Sequence, residues 1–354
     1  MLFFACKKEE DNNIIWEKSP GEGNAYFVGS TADSGVLGCG KLAGKPYLVK
    51  FDKGKSIEAD YTSERSGLFS CAWSDQSGYI AAGSTSGKML LSGISIDGNK
   101  IWDTTINASF SIDITSLVYE GNGNFLAVGS ASPDSSENGD TEILFVRFTR
   151  AGEIIYDEET ISAAPSFISA NNVAADASGN IYLALTKKTG SQKPRAMIVK
   201  YNNDLQKLWE TELYNNPDFT AACYDAAVDG SGNIVVTGKT EASTLSGTLN
   251  NSFLASVSRT GGINWKRYME NSNSGSSVVV NGDEEIFMLN RNCFVIRKAS
   301  SGDGSDTGII RMYSQCDSYT TDSFGYDINL DHDGNILTAG SSGGNFYLAL
   351  KSSQ

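Results

Sequence analysis

Histidine occurs once in 354 residues. That scarcity removes most Ser/His/Asp, Cys/His and multi-histidine metal chemistries and leaves carboxylate or tyrosine chemistry if the chain is an enzyme at all. Cationic side chains are also short, with 28 Lys and Arg against 42 Asp and Glu for a formal charge of −14. Affinity for nucleic acid rests on cations that neutralise phosphates, which argues against a duplex-binding surface. No stretch after the first few residues approaches the roughly 18 continuous apolar residues that a membrane-spanning helix needs. What the chain does have is 40% hydrophobic residues, with 16 Phe and 15 Tyr, ample for a substantial core in one large or two ordinary domains.

The first residues read Met1-Leu2-Phe3-Phe4-Ala5-Cys6-Lys7-Lys8-Glu9-Glu10-Asp11-Asn12, a short apolar run before a cysteine and a charged stretch after it. This looks like the end of a secretory signal whose start lies upstream, because an ordinary signal carries roughly 7 to 15 apolar residues after a basic segment. Ala5-Cys6 resembles the cleavage site of a bacterial lipoprotein, where the cysteine after a small residue is acylated. Lys7-Lys8-Glu9-Glu10 resembles the signal that sends some Gram-negative lipoproteins to the outer leaflet. The resemblance implies lipidation at Cys6 and an outer-membrane location, at the cell surface or, as the alternative, facing the periplasm. It also implies that residues 1–12 are a signal remnant and polar tether to one domain over 13–354. Of the other cysteines, Cys39, Cys71, Cys223, Cys293 and Cys316, an odd number cannot all pair, and none forms Cys-x-x-Cys, so small buried thiols are expected.

A repeat is written in the turns. Ser34-Gly35-Val36-Leu37, Ser77-Gly78-Tyr79-Ile80, Gly123-Asn124-Phe125-Leu126, Gly179-Asn180-Ile181-Tyr182, Gly232-Asn233-Ile234-Val235 and Gly334-Asn335-Ile336-Leu337 recur at intervals of 43, 45, 56, 53 and 102 residues. The double interval hides a degenerate turn at Asp283-Glu284-Glu285-Ile286, giving seven units. Each continues with an apolar segment often ending in glycine, a variable loop, a second apolar segment such as Met197-Ile198-Val199-Lys200-Tyr201, and a turn leading to an aromatic such as Trp102, Tyr156, Trp209 or Trp265. Runs of four to seven residues rich in Val, Ile, Phe and Tyr, punctuated by Gly, Asn and Asp, are strands. With the segment before each first turn, every unit holds four, which predicts an all-β, seven-bladed β-propeller. The chain ends on a third strand, 346–351, and begins with a lone fourth strand, 14–18. Pairing the two closes the ring and removes two exposed sheet edges.

The repeat resembles bacterial extracellular propellers and, more distantly, quinoprotein-like propellers, over nearly the whole chain. That implies architecture and leaves activity open. Quinoprotein dehydrogenases usually have eight blades with a stricter tryptophan motif, whereas Trp is missing here from blades 1, 3 and 6, so no cofactor is expected. The turns ending in Trp102 and Trp265 are also similar to the sialidase Asp-box, but no arginine triad accompanies them. Asp331-His332-Asp333-Gly334-Asn335 resembles calcium loops of some propellers, yet it offers too few oxygens for six to eight ligands and reads as an ordinary turn.

A ligand belongs on the face with the long, irregular segments, 131–141, 187–195, 214–223, 240–251 and 314–323. Tyr224-Asp225, Tyr326-Asp327 and Asn171-Asn172 stand at one offset before their turn glycines, so they should begin innermost strands at the channel mouth. They offer hydrogen bonds and an aromatic surface to a sugar or peptide. The competing reading is that these side chains bond the backbone of neighbouring blades. The expected function is a non-enzymatic, lipid-anchored envelope protein, monomeric, that binds a glycan or envelope protein. The alternatives are a propeller glycosidase or polysaccharide lyase using paired carboxylates, and an outer-membrane assembly scaffold.

Overall fold

The structure, a computed structural model, describes residues 14–106, 110–121, 123–133, 141–160, 166–214, 219–244, 247–269, 274–292, 294–311 and 323–353. All 28 described elements are strands, arranged as seven four-stranded antiparallel sheets. The chain opens with β1 (Ile14–Lys18). Blade 1 is β2 (Gly23–Ser30), β3 (Val36–Leu42), β4 (Lys45–Phe51) and β5 (Ile57–Thr62). Blade 2 is β6 (Leu68–Asp75), β7 (Gly78–Thr85), β8 (Lys88–Ile94) and β9 (Lys100–Ile106). Blade 3 is β10 (Phe110–Gly121), β11 (Asn124–Pro133), β12 (Glu142–Thr149) and β13 (Ile154–Thr160). Blade 4 is β14 (Ser166–Ala175), β15 (Ile181–Thr189), β16 (Arg195–Tyr201) and β17 (Lys207–Glu212). Blade 5 is β18 (Phe219–Val228), β19 (Ile234–Thr244), β20 (Gly247–Val257) and β21 (Ile263–Met269). Blade 6 is β22 (Gly275–Val280), β23 (Glu285–Asn290), β24 (Val295–Ser300) and β25 (Asp306–Arg311). Blade 7 is β26 (Ser323–Leu330), β27 (Ile336–Ser342), β28 (Asn345–Lys351) and, as its outer strand, β1.

Burial follows strand position. Third strands such as β4, β8 and β28 are buried almost throughout, because neighbouring blades cover both their faces, and they read as continuous apolar runs. Outer strands such as β17 face water and alternate. The core is therefore a set of layers between blades. One such layer joins Leu337, Phe346 and Leu348 of blade 7 to Val28, Tyr47, Val49 and Phe51 of blade 1.

The first turn of each blade explains the recurring Asp-x-x-Gly-Asn. Asp331 Oδ1 accepts from the backbone N–H of Asp333 and Asn335, while Oδ2 accepts from Asn335 Nδ2, and Asp176 and Asp229 repeat the arrangement. Gly334 takes φ +77° there, and in the degenerate turn of blade 6 Glu284 occupies the same left-handed region at φ 60°. The tryptophans dock blades together. Trp102, Trp209 and Trp265 each lie on a turn of the next blade, donating Nε1–H to the carbonyls of Arg150, Arg259 and Ser301 at 3.0, 3.2 and 2.9 Å.

β1 pairs antiparallel with β28, Trp16 opposite Leu350 and Lys18 opposite Leu348. Trp16 is buried with its ring edge-on to Phe51 of blade 1 at 4.7 Å, and Tyr347 donates its hydroxyl hydrogen to Glu17 at 2.9 Å. The ring is closed by the first and last strands.

Several segments read as irregular loops are partly strand: 131–133 belong to β11, 187–189 to β15 and 219–223 to β18, while 134–140, 215–218 and 314–322 lie outside the described residues. Within 240–251, β19 and β20 stay paired out to Thr244 and Gly247, with 245–246 outside the described residues. Cys39, Cys71 and Cys223 are buried free thiols, while Cys6, Cys293 and Cys316 lie outside the described residues.

Candidate functional site

Every innermost strand carries a register shift at the same level. One residue per blade is thereby left out of the ladder: Tyr26, Ser70, Thr115, Asn171, Tyr224, Ser276 and Tyr326. Such bulges re-aim side chains and strengthen local twist. Here they ring a central cavity of about 320 Å³. The bulge also explains the glycine inside many second strands. A Cβ on Gly238 or Gly340 would collide with the carbonyl oxygen of Ala222 or Phe324 on the inner strand, although neither glycine needs a positive φ.

All six residues singled out from the sequence line this cavity. None begins its strand. Tyr224 and Tyr326 sit inside β18 and β26, because each inner strand starts several residues earlier and the bulge, rather than a strand end, exposes the side chain.

The residue after each bulge forms a second ring, and across five blades it is polar. Ser116 Oγ donates to Asn172 Oδ1 at 3.1 Å, and Asn172 Nδ2 donates to Asp225 Oδ1. Ser277 Oγ lies 2.6 Å from Asp225 Oδ2 and 2.9 Å from Asp327 Oδ1. Val278 N–H donates to Asp225 at 2.7 Å, and Val28 N–H donates to Asp327 Oδ2 at 2.9 Å. The belt thus runs from blade 3 through blades 4, 5, 6 and 7 to the backbone of blade 1. Phe27 and Cys71 hold the remaining two places. Asn171 is also tied between blades, donating Nδ2–H to the Cys223 carbonyl and accepting from Ser169 at 2.7 Å.

Burial raises both carboxyls, Asp225 up to about 7 and Asp327 up to about 6, against the lowering effect of their N–H and Ser277 partners. A serine hydroxyl has one hydrogen to give, so two contacts to Ser277 Oγ require one carboxyl to bring its own proton. The pair therefore shares a proton near neutral pH. Asp225, the higher of the two, holds that proton and gives it to Ser277 Oγ, while accepting from Asn172, Val278 and, at 2.7 Å, Ala226, which uses its full capacity. Asp327 Oδ1 accepts from Ser277 and Ile328, but Oδ2 accepts from Val28 alone. Bridged by one oxygen, the two carboxyls sit side by side on one wall, not opposed across the cavity.

Above this floor stand the tyrosines. The rings of Tyr26 and Tyr326 lie 5.1 Å apart with a 53° tilt, and the Arg291 guanidinium lies over Tyr326 at 5.6 Å. Burial, with Tyr326 beside it, raises the Tyr26 phenol. Tyr26, Ser70, Thr115, Ser276 and Arg291 were missed in the sequence. The offset of eight residues from bulge to turn glycine finds Ser70 and Thr115, and it finds Ser276 once Glu284 is put in the glycine's place. Tyr26 escapes because blade 1 has one more residue in that interval.

His332 is an exposed turn residue whose Nε2 lies 2.9 Å from the Thr31 carbonyl, and it does not line the cavity. Among the described residues no group of His, Cys, Asp and Glu is arranged to hold a metal ion.

No family model matches the chain, and no curated protein is similar to it in sequence. Among solved structures it is similar to virginiamycin B lyase from Staphylococcus aureus, with a TM-score of 0.67 at 10% identity over 96% of this chain and 99% of that one. A streptogramin B lyase gives 0.63 at 12% identity over 95% and 98%. The Neurospora crassa Pan2 WD40 domain gives 0.62 at 11% identity over 94% and 90%. At such identities the likeness shows the propeller fold alone.

Proposed function

We propose that this chain is a non-enzymatic, lipid-anchored envelope protein whose propeller binds a glycan at the channel mouth. The observation that carries the reading is the ring of bulge tyrosines, Tyr26, Tyr224 and Tyr326, over a polar floor, since aromatic faces flanked by hydrogen-bonding groups suit the apolar faces and hydroxyls of a sugar. The arrangement of the carboxyls weighs against the paired-carboxylate hydrolase, because Asp225 is fully bonded and Asp327 stands beside it. A histidine-to-alanine variant of virginiamycin B lyase is catalytically inactive. The single histidine here lies away from the cavity, so these residues do not favour that chemistry. Glycan-array binding by purified protein, with Tyr224→Ala and Tyr326→Ala losing the signal, is the test. Turnover of a bound polysaccharide overturns the non-enzymatic reading.

Attachment is through acylated Cys6, with residues 7–12 as tether, and a cysteine carrying several acyl chains holds firmly where one chain would not. Metabolic labelling with a fatty acid should mark the wild type and leave Cys6→Ala unlabelled and soluble. An unlabelled wild type removes the anchor from the proposal.

A further inference from the structure

Resting on the glycan reading, we propose that the channel selects a sugar carrying a primary ammonium group, held between Tyr26, Tyr326 and the Asp327 carboxylate. Asp327 follows Tyr326 directly in β26, lines the cavity, and has one lone pair on Oδ2 beyond the contact from Val28. Aromatic ring faces attract cations, and a charge-assisted N–H to carboxylate bond is about twice as strong as a neutral one.

The charges around this point are mostly acidic. Asp225 reaches Asp327 through Ser277, and Asp113 on β10 acts on both Tyr26 and Cys71. Cys39 on β3 and Cys71 on β6 are held neutral by burial. Arg291 is the cation acting on Tyr26; it is exposed and rests on the Tyr326 ring. With a formal charge of −14, the long-range field also favours a cation.

The geometry demands two protonation states at once. Asp327 must be ionised, which fails as pH drops through about 6. The amine must be protonated, which fails above about 8 for groups like an α-amine. Affinity should therefore peak between these limits.

The probes are the tetrasaccharide of N-acetylglucosamine and its fully de-N-acetylated counterpart, titrated calorimetrically into the intact propeller at several pH values. The expected result is about tenfold tighter binding of the free amine at pH 7, a bell-shaped pH profile for it, and a flat profile for the acetylated sugar. Asp327→Asn should erase the preference for the free amine over the acetylated sugar and flatten the pH profile. Equal binding of the two sugars, or a preference that Asp327→Asn does not alter, overturns the ammonium inference and leaves the glycan reading standing. Binding of neither sugar overturns the inference, and if the glycan array is also blank the broader reading falls with it. The wild-type pH profile decides the matter even if Asp327→Asn fails to fold.

Discussion

At the scale of the residue, Asp225 shows how a side chain at a channel can serve the scaffold. Three N–H donors and the Ser277 hydroxyl converge on its two oxygens from three blades. An asparagine there would keep one carbonyl oxygen and turn an amide N–H₂ against existing donors. Asp225→Asn is therefore expected to cost about 2 to 3 kcal/mol, read as a lower unfolding temperature. The same residue sets a pH dependence. Its folded value near 7 lies above the ordinary carboxyl value of 3.8, and Asp327 adds a folded value near 6. The folded state thus binds more protons between pH 4 and 7, so this contribution to stability is full below pH 4 and is lost as pH rises through 7. Melting temperatures at pH 5.5 and 8 should differ more for the wild type than for Asp225→Asn; equal differences would contradict the assignment. The polar identity of this ring was legible in the sequence, since Tyr-Asp and Asn-Asn recur at one offset. The bridging role of Ser277 was not, because it joins carboxyls about fifty residues away on either side and only closure of the ring brings them together.

At the scale of the element, the bulge and its glycine form one device. Gly238→Ala places a methyl group against the Ala222 carbonyl in a backbone that cannot easily yield, so a loss of several degrees in melting temperature is expected. Gly282→Ala meets nothing within 4 Å and needs no positive φ, so it should melt like the wild type. A similar melt for both would show that the inner strands relax freely. Strand count, blade count and turn positions could be read from the sequence because each is marked locally, by apolar runs and Asp-Gly-Asn turns. Bulges are not marked, since a single extra residue leaves the composition unchanged. The β19–β20 extension was likewise hidden, because Thr240, Asn250 and Asn251 pair through backbone groups that any residue supplies.

At the scale of the molecule, the propeller is a ring of interfaces, and one blade is completed by pairing the first strand with the last. Among the described residues β1 covers the outer edge of β28, and Trp16, packed on Phe51, and the Ile15 carbonyl, which accepts from Lys55, carry this contact across to blade 1. Burying a large aromatic contributes roughly 2 to 3 kcal/mol, and truncating one costs about 3 to 5 kcal/mol, a large share of a typical domain's stability. Loss of β1 would add an exposed strand edge, the usual template for aggregation. Deletion of residues 1–12 keeps β1 and should leave thermal stability unchanged. Deletion of residues 1–18 should lower the melting temperature by several degrees and promote aggregation, and Trp16→Ala should do the first with less of the second, because its backbone still covers β28. A scan of all three variants by calorimetry and light scattering separates the contributions of the ring and of the edge. Identical melting for the two deletions would mean that blade 7 stands on three strands and that the seven interfaces, rather than the closing strand, hold the ring.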